Sequence, residues 1–333
     1  MLAHVLSHHA TDEVVVNFTC KQGEQVVGRQ QFVVQPYKFP ELKPQQASVN
    51  KEETKSYVKL STQGTTLTIG KQSGMIDYLD VDGQPMLIDR QSITPEFWRA
   101  PTDNDYGARL QQKFSAWKNP QMKVTDFSAT DNSVVTKIDM PMATLTMTYT
   151  LMADGSVIVR QQMEPKADVK DQWLFRYGMQ LQMPKQFDRV EYYGRGPHEN
   201  YWDRNSSEFI GRYKNKVADE YFPYVRPQES GNHTDVRWFI VSDGQRGLKF
   251  ESTGPMECSA LPYLVEDLDA GPRKEHRWGQ HSGDLIERPL TQVHIQQHQM
   301  GLGCVTSWGT WPEKSYMLPL QSYDFTYTII PVR

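Results

Sequence analysis

The chain has few cysteines and lacks long apolar runs and a signal peptide, which are features that mark several protein classes. Its 333 residues contain 3 cysteines, Cys20, Cys258 and Cys304. An odd number of cysteines without metal-ligand spacing argues against a disulfide framework, although one pair stays open. No apolar run approaches the roughly 18 residues that a membrane-spanning helix needs. The first residues, MLAHVLSHHATDE, lack the basic and long apolar regions of a signal peptide, and the compartment stays undetermined.

The chain also lacks a large excess of charge of either sign. The net charge is −4, and no block of five like charges occurs. Nucleic acid and anionic membrane are therefore not expected as partners. The sequence also lacks a nucleophile elbow, a phosphate loop, a zinc helix and a dinucleotide fingerprint, so it shows no signature of these common enzyme classes.

Aromatic residues are plentiful, with 8 Trp, 16 Tyr and 13 Phe. An aromatic ring packs against the apolar face of a pyranose, and carbohydrate-binding proteins favour this composition. Large β proteins share it, so composition favours a sugar ligand only weakly.

Alternation of apolar and polar residues dominates the rest of the chain. In ATLTMTYTLMADGSVIVRQQM, the side chains of residues 145, 147, 149 and 151 fall on one face, and Asp154–Gly155 turns the chain into a second strand. Further turns are predicted at Ser73–Gly74 and Asp82–Gly83. A short helix is predicted only over 108–118. Well over a dozen strands predict an all-β fold, a large antiparallel β-sandwich.

Three segments differ in character. Residues 1–38 carry two strands, 39–56 form a polar linker rich in Pro and Lys, and 57–333 form the main domain. Two strands do not make a stable domain. We therefore expect 1–38 to be the last hairpin of an upstream domain, or to pack on the main body.

Four stretches interrupt the strand pattern with dense polar and aromatic residues. They are PEFWRAPTDNDYG (95–107), YYGRGPHENYWDR (192–204), YVRPQESGNHTDVRW (224–238) and MGLGCVTSWG (300–309). Loops of this kind are functional or are packed on themselves. In the first, Asp103, Asn104 and Asp105 could ligate calcium, but such clusters more often cap turns, and we expect no metal.

The second and third stretches carry charged pairs. The second predicts a buried network of ion pairs and hydrogen bonds that ties loops together, made by Arg195, His198, Glu199, Asn200, Asp203 and Arg204. In the third, Glu229 and His233 could act as acid and base, although such pairs also arise by chance. Trp308, in the fourth, either fills the end of a core or is held out for a ligand to stack on.

Together these motifs resemble a known family. FWRAPTDNDYG, GRGPHENYWDR, YVRPQESGNHTDVRW, LPYLVEDLDA and QMGLGCVTSWG follow one another as in the C-terminal region of bacterial β-galactosidases of glycoside hydrolase family 2. The resemblance covers about residues 60–333. It implies a supersandwich fold of the galactose mutarotase type. It also implies that residues 1–38 are the tail of a preceding immunoglobulin-like domain.

The resemblance assigns sites as well. It implies that Trp308, beside Ser307, forms an apolar platform for the sugar of a β-galactoside substrate. Gly107 would be the hinge of a rim loop, 107–116, with Asn104 beside it. One departure is that Cys304-Val305-Thr306 replaces the acidic or amide residues common before the Ser-Trp pair.

The family's catalytic machinery lies elsewhere. The resemblance implies that the two catalytic glutamates of the retaining mechanism, Mg²⁺ and a monovalent cation belong to a TIM-barrel domain that these residues do not contain. We therefore expect no catalytic residue, metal or cofactor in this chain, and no activity from it alone. The expected partners are that barrel domain and, through oligomer contacts, further copies.

Two alternatives stay open. One is a free-standing sugar anomerase that uses Glu229 with His233 or His198. The other is a non-catalytic carbohydrate-binding module with Trp308 as its stacking platform.

Overall fold

A computed structural model describes residues 13–62, 64–169, 172–273, 281–303, 305–306 and 309–333. Within them, antiparallel strands dominate. The strands are β1 (Val14–Gln22), β2 (Gln25–Gln35), β3 (Asn50–Glu53), β4 (Tyr57–Thr62), β5 (Thr65–Gly70), β6 (Ile76–Val81), β7 (Gln84–Pro85), β8 (Thr94–Glu96), β9 (Lys123–Ala129), β10 (Ser133–Asp139), β11 (Ala143–Leu151), β12 (Val157–Pro165), β13 (Trp173–Leu174), β14 (Arg176–Pro184), β15 (Arg189–Gly196), β16 (Phe209–Lys216), β17 (His233–Ser242), β18 (Gly247–Leu261), β19 (Leu290–Gln299), β20 (Leu318–Pro319) and β21 (Tyr323–Val332).

Helices are short. The α-helices are α1 (Asp103–Ala108), α2 (Leu110–Lys113) and α3 (Val265–Leu268). Single 3₁₀ turns cover Ser115–Trp117, Val217–Glu220, Ser282–Asp284 and Lys314–Tyr316. No helix in the described part of the chain has the length and apolar character that crossing a membrane requires.

Most strands belong to one large sheet. Twelve strands join in it, with the main order β16-β15-β17-β18-β21-β12-β11-β10-β9, while β19, β14 and β8 branch from β18. A second sheet has the order β3-β4-β5-β6-β7, and β1-β2 and β13-β20 are separate pairs. The prediction of an all-β fold with a large antiparallel sandwich is confirmed.

The core forms where alternating apolar residues of the two larger sheets meet. Leu145, Met147, Tyr149 and Leu151 of β11 are all fully buried, as the alternation predicts. The Tyr149 hydroxyl donates to the Gly74 carbonyl in the turn after β5, at 3.0 Å. The five-stranded sheet is thus fastened to the face of the large one.

At this junction the backbone of residue 74 has a positive φ and approaches a neighbouring side chain closely, and glycine allows both. Its φ is +72°, and a Cβ there would come within 3.0 Å of the Val124 side chain. The predicted turns at Ser73–Gly74, Asp82–Gly83 and Asp154–Gly155 are confirmed, because Gly74, Gly83 and Gly155 all have positive φ.

One branch of the large sheet carries a polar face. Gln180 of β14 pairs with Thr94 of β8 and with His294 of β19. Directly paired residues point to the same face. On this face His294 is buried and Thr94 and Gln180 are partly buried, and its polar side chains bond to one another.

The helix predicted over 108–118 is correct in kind and wrong in extent. Helical structure begins at Asp103, where Thr102 and Asp105 form a capping box, and it breaks at Arg109, whose φ is +59°. The chain reverses at Arg109, and Gly107 lies inside α1; its role as the hinge of a rim loop stays a prediction.

The hairpin β1-β2 contacts the main body with one face. The Gln31 side chain accepts from the Ile210 backbone N–H at 2.8 Å and donates to its carbonyl at 2.9 Å, so it pairs with edge strand β16. Its opposite face exposes Phe18 and Phe32, which are 57% and 53% accessible and contact each other edge to face. This exposed apolar surface is unusually large for a pair of strands.

Candidate functional site

Three of the four polar stretches, together with the start of the fourth, surround one cavity. Its volume is about 330 Å³, and we call it the loop pocket. It is lined by Thr102, Asp103, Asn104, Asp203, Arg204, Tyr224, Gln228, Glu229, Leu302 and Gly303. Segments far apart in sequence thus converge on one small-ligand-sized site.

The first wall of the loop pocket is α1. Asp105 accepts from the Thr102 backbone N–H at 2.8 Å and pairs with Arg99 at 2.9 Å, and both members of this ion pair are fully buried. Asp105 is therefore part of the capping box of α1 and the partner of a buried arginine. Among the described residues, no group of three or more His, Cys, Asp or Glu could hold a metal.

Arg99 also fixes the segment that precedes Trp308. Its guanidinium donates to the Met300 carbonyl and, at 3.1 Å, to the Gly301 carbonyl. Beside it, Asn104 Nδ2 donates to the Leu302 carbonyl at 3.1 Å. The first and fourth stretches therefore form one bonded unit.

The second stretch holds the same segment from the other side. Asp203 Oδ2 accepts from the Gly303 backbone N–H at 2.6 Å. The backbones of Gly107 and Gly309 are in close contact, because a Cβ on Gly309 would fall 2.5 Å from the Gly107 carbonyl oxygen. Ser307 and Trp308 lie outside the described residues. Before them, Leu302 and Gly303 line the loop pocket, and after them Gly309 packs against Gly107 of α1.

A buried cation lies below the loop pocket. Arg176 of β14 donates to Glu229 at 2.5 Å and to Glu96 at 3.2 Å. Glu96 also contacts His294 at 2.6 Å. Burial by itself raises the pKa of Glu96, but Arg176 and His294 outweigh it and lower the pKa below its ordinary value. Glu96 is thus held as a carboxylate.

The second stretch folds into the bonded network that its composition predicts. The Glu199 carboxylate accepts from Arg204 at 2.6 Å, from the Gly231 backbone N–H at 2.7 Å and from the Tyr224 hydroxyl. Burial and the neighbouring Glu199 raise the pKa of Tyr224. These bonds hold Arg204 and Tyr224 in place at the edge of the loop pocket.

Glu229 and His233 do not form an acid–base pair. His233 Nε2 contacts Glu220 at 2.5 Å, whereas Glu229 is bound by Arg176. His198 is mostly exposed and faces Glu208. The three groups that the anomerase alternative requires thus each have a different partner.

Trp311 also has a defined place. Its ring packs edge to face on Phe114 and on Trp173, and Lys113 Nζ lies 4.4 Å from its centroid. It packs against the main core and does not line the loop pocket.

Sequence reasoning missed the buried charges below the loop pocket. Arg176, Glu96 and Glu257 lie in strands, at positions that are almost fully inaccessible. The available signal was a lone charge inside an otherwise apolar strand, as in LFRYGM around Arg176. Such a charge is retained only where a partner or hydrogen bond compensates it.

Comparison with known proteins assigns the chain to a family. Residues 61–329 match the model of the β-galactosidase small chain. Because this match covers most of the sequence, the chain belongs to that family, and the resemblance drawn from the five motifs is confirmed.

The relatives are longer proteins. The chain is 29% identical over 342 residues to a β-galactosidase of Priestia megaterium (strain DSM 319 / IMG 1521), covering 97% of this chain and 32% of the relative. It is 33% identical over 235 residues to a β-galactosidase of Lactobacillus delbrueckii subsp. bulgaricus, covering 68% of this chain and 22% of the relative. The chain thus spans about a third or less of the curated relatives it matches.

Among solved structures, the fold is similar to a galactose mutarotase related enzyme from Lactobacillus acidophilus. The TM-score is 0.48 at 9% identity, with 83% of this chain and 97% of that chain covered.

Proposed function

We propose that this chain is a component of a retaining β-galactosidase of glycoside hydrolase family 2, and that it completes the substrate site without supplying the catalytic glutamates. The main support for this proposal is the family match over residues 61–329, together with a similar β-galactosidase that is about three times as long as this chain. The remaining two thirds would hold the TIM barrel with the glutamate pair, Mg²⁺ and the monovalent cation. In this proposal further copies of the assembly associate through surfaces outside that site.

In this proposal Trp308 is the platform on which the galactoside packs, next to Ser307. The loop pocket supports the role, since Arg99, Asn104 and Asp203 fix the segment before Trp308, and Gly107 contacts the segment after it. Because Asn104 donates to the Leu302 carbonyl, we propose that it affects substrate binding by holding the segment before Trp308 and not by contacting the sugar.

The hairpin β1-β2 supports a division within the predicted linker 39–56, before β3 (Asn50–Glu53) joins the second sheet. We propose that residues 1–38 are the end of an immunoglobulin-like domain whose other strands cover Phe18 and Phe32 in the complete protein. The exposure of both rings supports this, because a solvated two-stranded sheet is marginally stable.

The test is hydrolysis of a chromogenic β-galactoside by the purified chain, by the complementary two thirds of a full-length relative, and by their mixture. We expect activity in the mixture alone. Trp308→Ala should lower kcat/KM by about tenfold through loss of ring stacking, and Trp308→Phe should restore most of it.

Hydrolysis by the chain alone would show that a carboxylate pair lies within these sheets and would reject the proposal. Full activity of Trp308→Ala in the mixture would reject the role of Trp308 while leaving the assembly intact.

A further inference from the structure

A second cavity opens on the polar face of β14. Its volume is about 230 Å³, and we call it the Glu96 cleft. It is lined by Thr94, Pro95, Glu96, Phe97, Trp98, Trp117, Lys118, Asn119, Pro120, Met122, Gln180, Val265 and Glu266. It shares no lining residue with the loop pocket.

The floor of the Glu96 cleft offers one acceptor and one donor. Arg176 and His294 both bond to Glu96 Oε2, and Gln292 donates to Gln180 Oε1 at 3.0 Å. Among the described residues, Glu96 Oε1 and Gln180 Nε2 make no hydrogen bond, and neither is a fully buried atom lacking a partner. Both residues line the cleft, and each of these atoms has capacity for a further hydrogen bond.

Carboxylates outnumber free cations around the cleft. Arg176 is shared by Glu96 and Glu229, and Lys118 Nζ is paired with Asp269 at 2.6 Å. Glu266 adds one carboxylate to the lining. A phosphate or a second carboxylate would meet Glu96 without a free cation, so the site disfavours an anionic ligand.

The lining combines apolar and polar groups. Pro95, Pro120, Met122 and Val265 line the cleft together with the rings of residues 97, 98 and 117, and Lys118, Asn119 and Glu266 add polar groups. The volume lies just below the roughly 300–1,000 Å³ of sites for drug-sized ligands, which suits a single small ring. An uncharged ring with apolar faces and polar edges is the chemistry of a monosaccharide.

We propose that the Glu96 cleft binds one neutral monosaccharide unit. One ring hydroxyl donates to Glu96 Oε1, and a neighbouring hydroxyl accepts from Gln180 Nε2. This site is separate from the loop pocket and does not depend on the proposed role of Trp308.

The test is a titration of the ¹⁵N-labelled chain with D-galactose and D-glucose, followed by amide chemical shifts. We expect saturable shifts at Phe97, Asn119 and Gln180. Gln180→Ala should weaken binding about tenfold, because it removes the donor to the sugar. Gln182→Ala is the matched control, since Gln182 lies on the same strand outside the cleft.

Met122→Trp tests the same site without removing an internal hydrogen bond. Met122 is 37% accessible at the mouth, and the larger ring should block entry and abolish the shifts. Circular dichroism confirms that each variant is folded. The proposal is wrong if the cleft amides do not shift at sugar concentrations up to about 100 mM. It is also wrong if Gln180→Ala and Gln182→Ala weaken binding equally, or if the shifts occur only around the loop pocket.

Discussion

At the scale of single residues, buried charges organise the loops. Arg99 is inaccessible to solvent, and its five donors reach the Asp105 carboxylate and two carbonyls about two hundred residues away. A sequence shows that Arg99 and Asp105 are close in the chain, but it cannot show that Met300 and Gly301 are their neighbours. The calcium alternative arose from the acidic residues alone, whereas Asp105 among them is paired with Arg99.

Arg99→Leu should destabilise the chain by about 3–5 kcal/mol, because it leaves Asp105 buried without its partner. Arg160→Leu is the control. Arg160 pairs with Asp324 at the surface, where both side chains are nearly half exposed, so its loss should cost about 1 kcal/mol or less. Urea unfolding of the two variants measures the difference. Equal costs would contradict the role given to Arg99.

Glu257 makes stability depend on pH. Burial raises its pKa from the ordinary 4.5 to about 8. Between these values the folded chain holds a proton that the unfolded chain releases, so this contribution to stability is complete below pH 4.5 and is lost as pH rises through 8. Glu257→Gln removes the titrating group, and its free energy of unfolding should fall less than that of the wild type between pH 5 and pH 8.

Thermal and urea unfolding at several pH values within that window measure the slope. Glu24→Gln, at an exposed turn, should leave it unchanged. A Glu257→Gln variant with the slope of the wild type would show that Glu257 ionises normally in the fold.

At the scale of elements, alternation predicted strands well and helices poorly. The capping box of Thr102 and Asp105 was the available signal for α1, yet the helix has only six residues and its apolar period is too short to detect. Strands such as β11 repeat their pattern over nine residues, which is enough to fix both their extent and their buried face.

The hairpin β1-β2 should be the least protected pair of strands. It makes few contacts with the main body besides Gln31, Tyr37 and the Arg237–Glu13 ion pair, and its apolar face is exposed. Hydrogen exchange followed by mass spectrometry should show its amides exchanging orders of magnitude faster than those of β14 and β19. Addition of the complementary polypeptide should slow the hairpin while leaving β14 unchanged. Equal protection of all these strands in the chain alone would argue that the hairpin is complete without a partner.

At the scale of the whole molecule, the sequence predicted the fold class and could not predict the order of strands. Alternation identifies β21 as a strand, but its neighbours are β18 and β12, and β12 lies about 170 residues earlier in the chain. The candidate site shows the same limit. The motifs identified the loops that meet, while the buried Arg176 beneath them followed only from the pairing of strands.

The place of β21 also sets the order of events on the ribosome. Before residues 323–332 emerge, β9 to β12 and the strands grouped around β18 are two separate half-sheets. Each half then presents an open edge, the kind of surface on which nascent chains aggregate. The nascent protein therefore exposes two open sheet edges until residues 323–332 have emerged, and a chain truncated before Tyr323 would have a main sheet that cannot close.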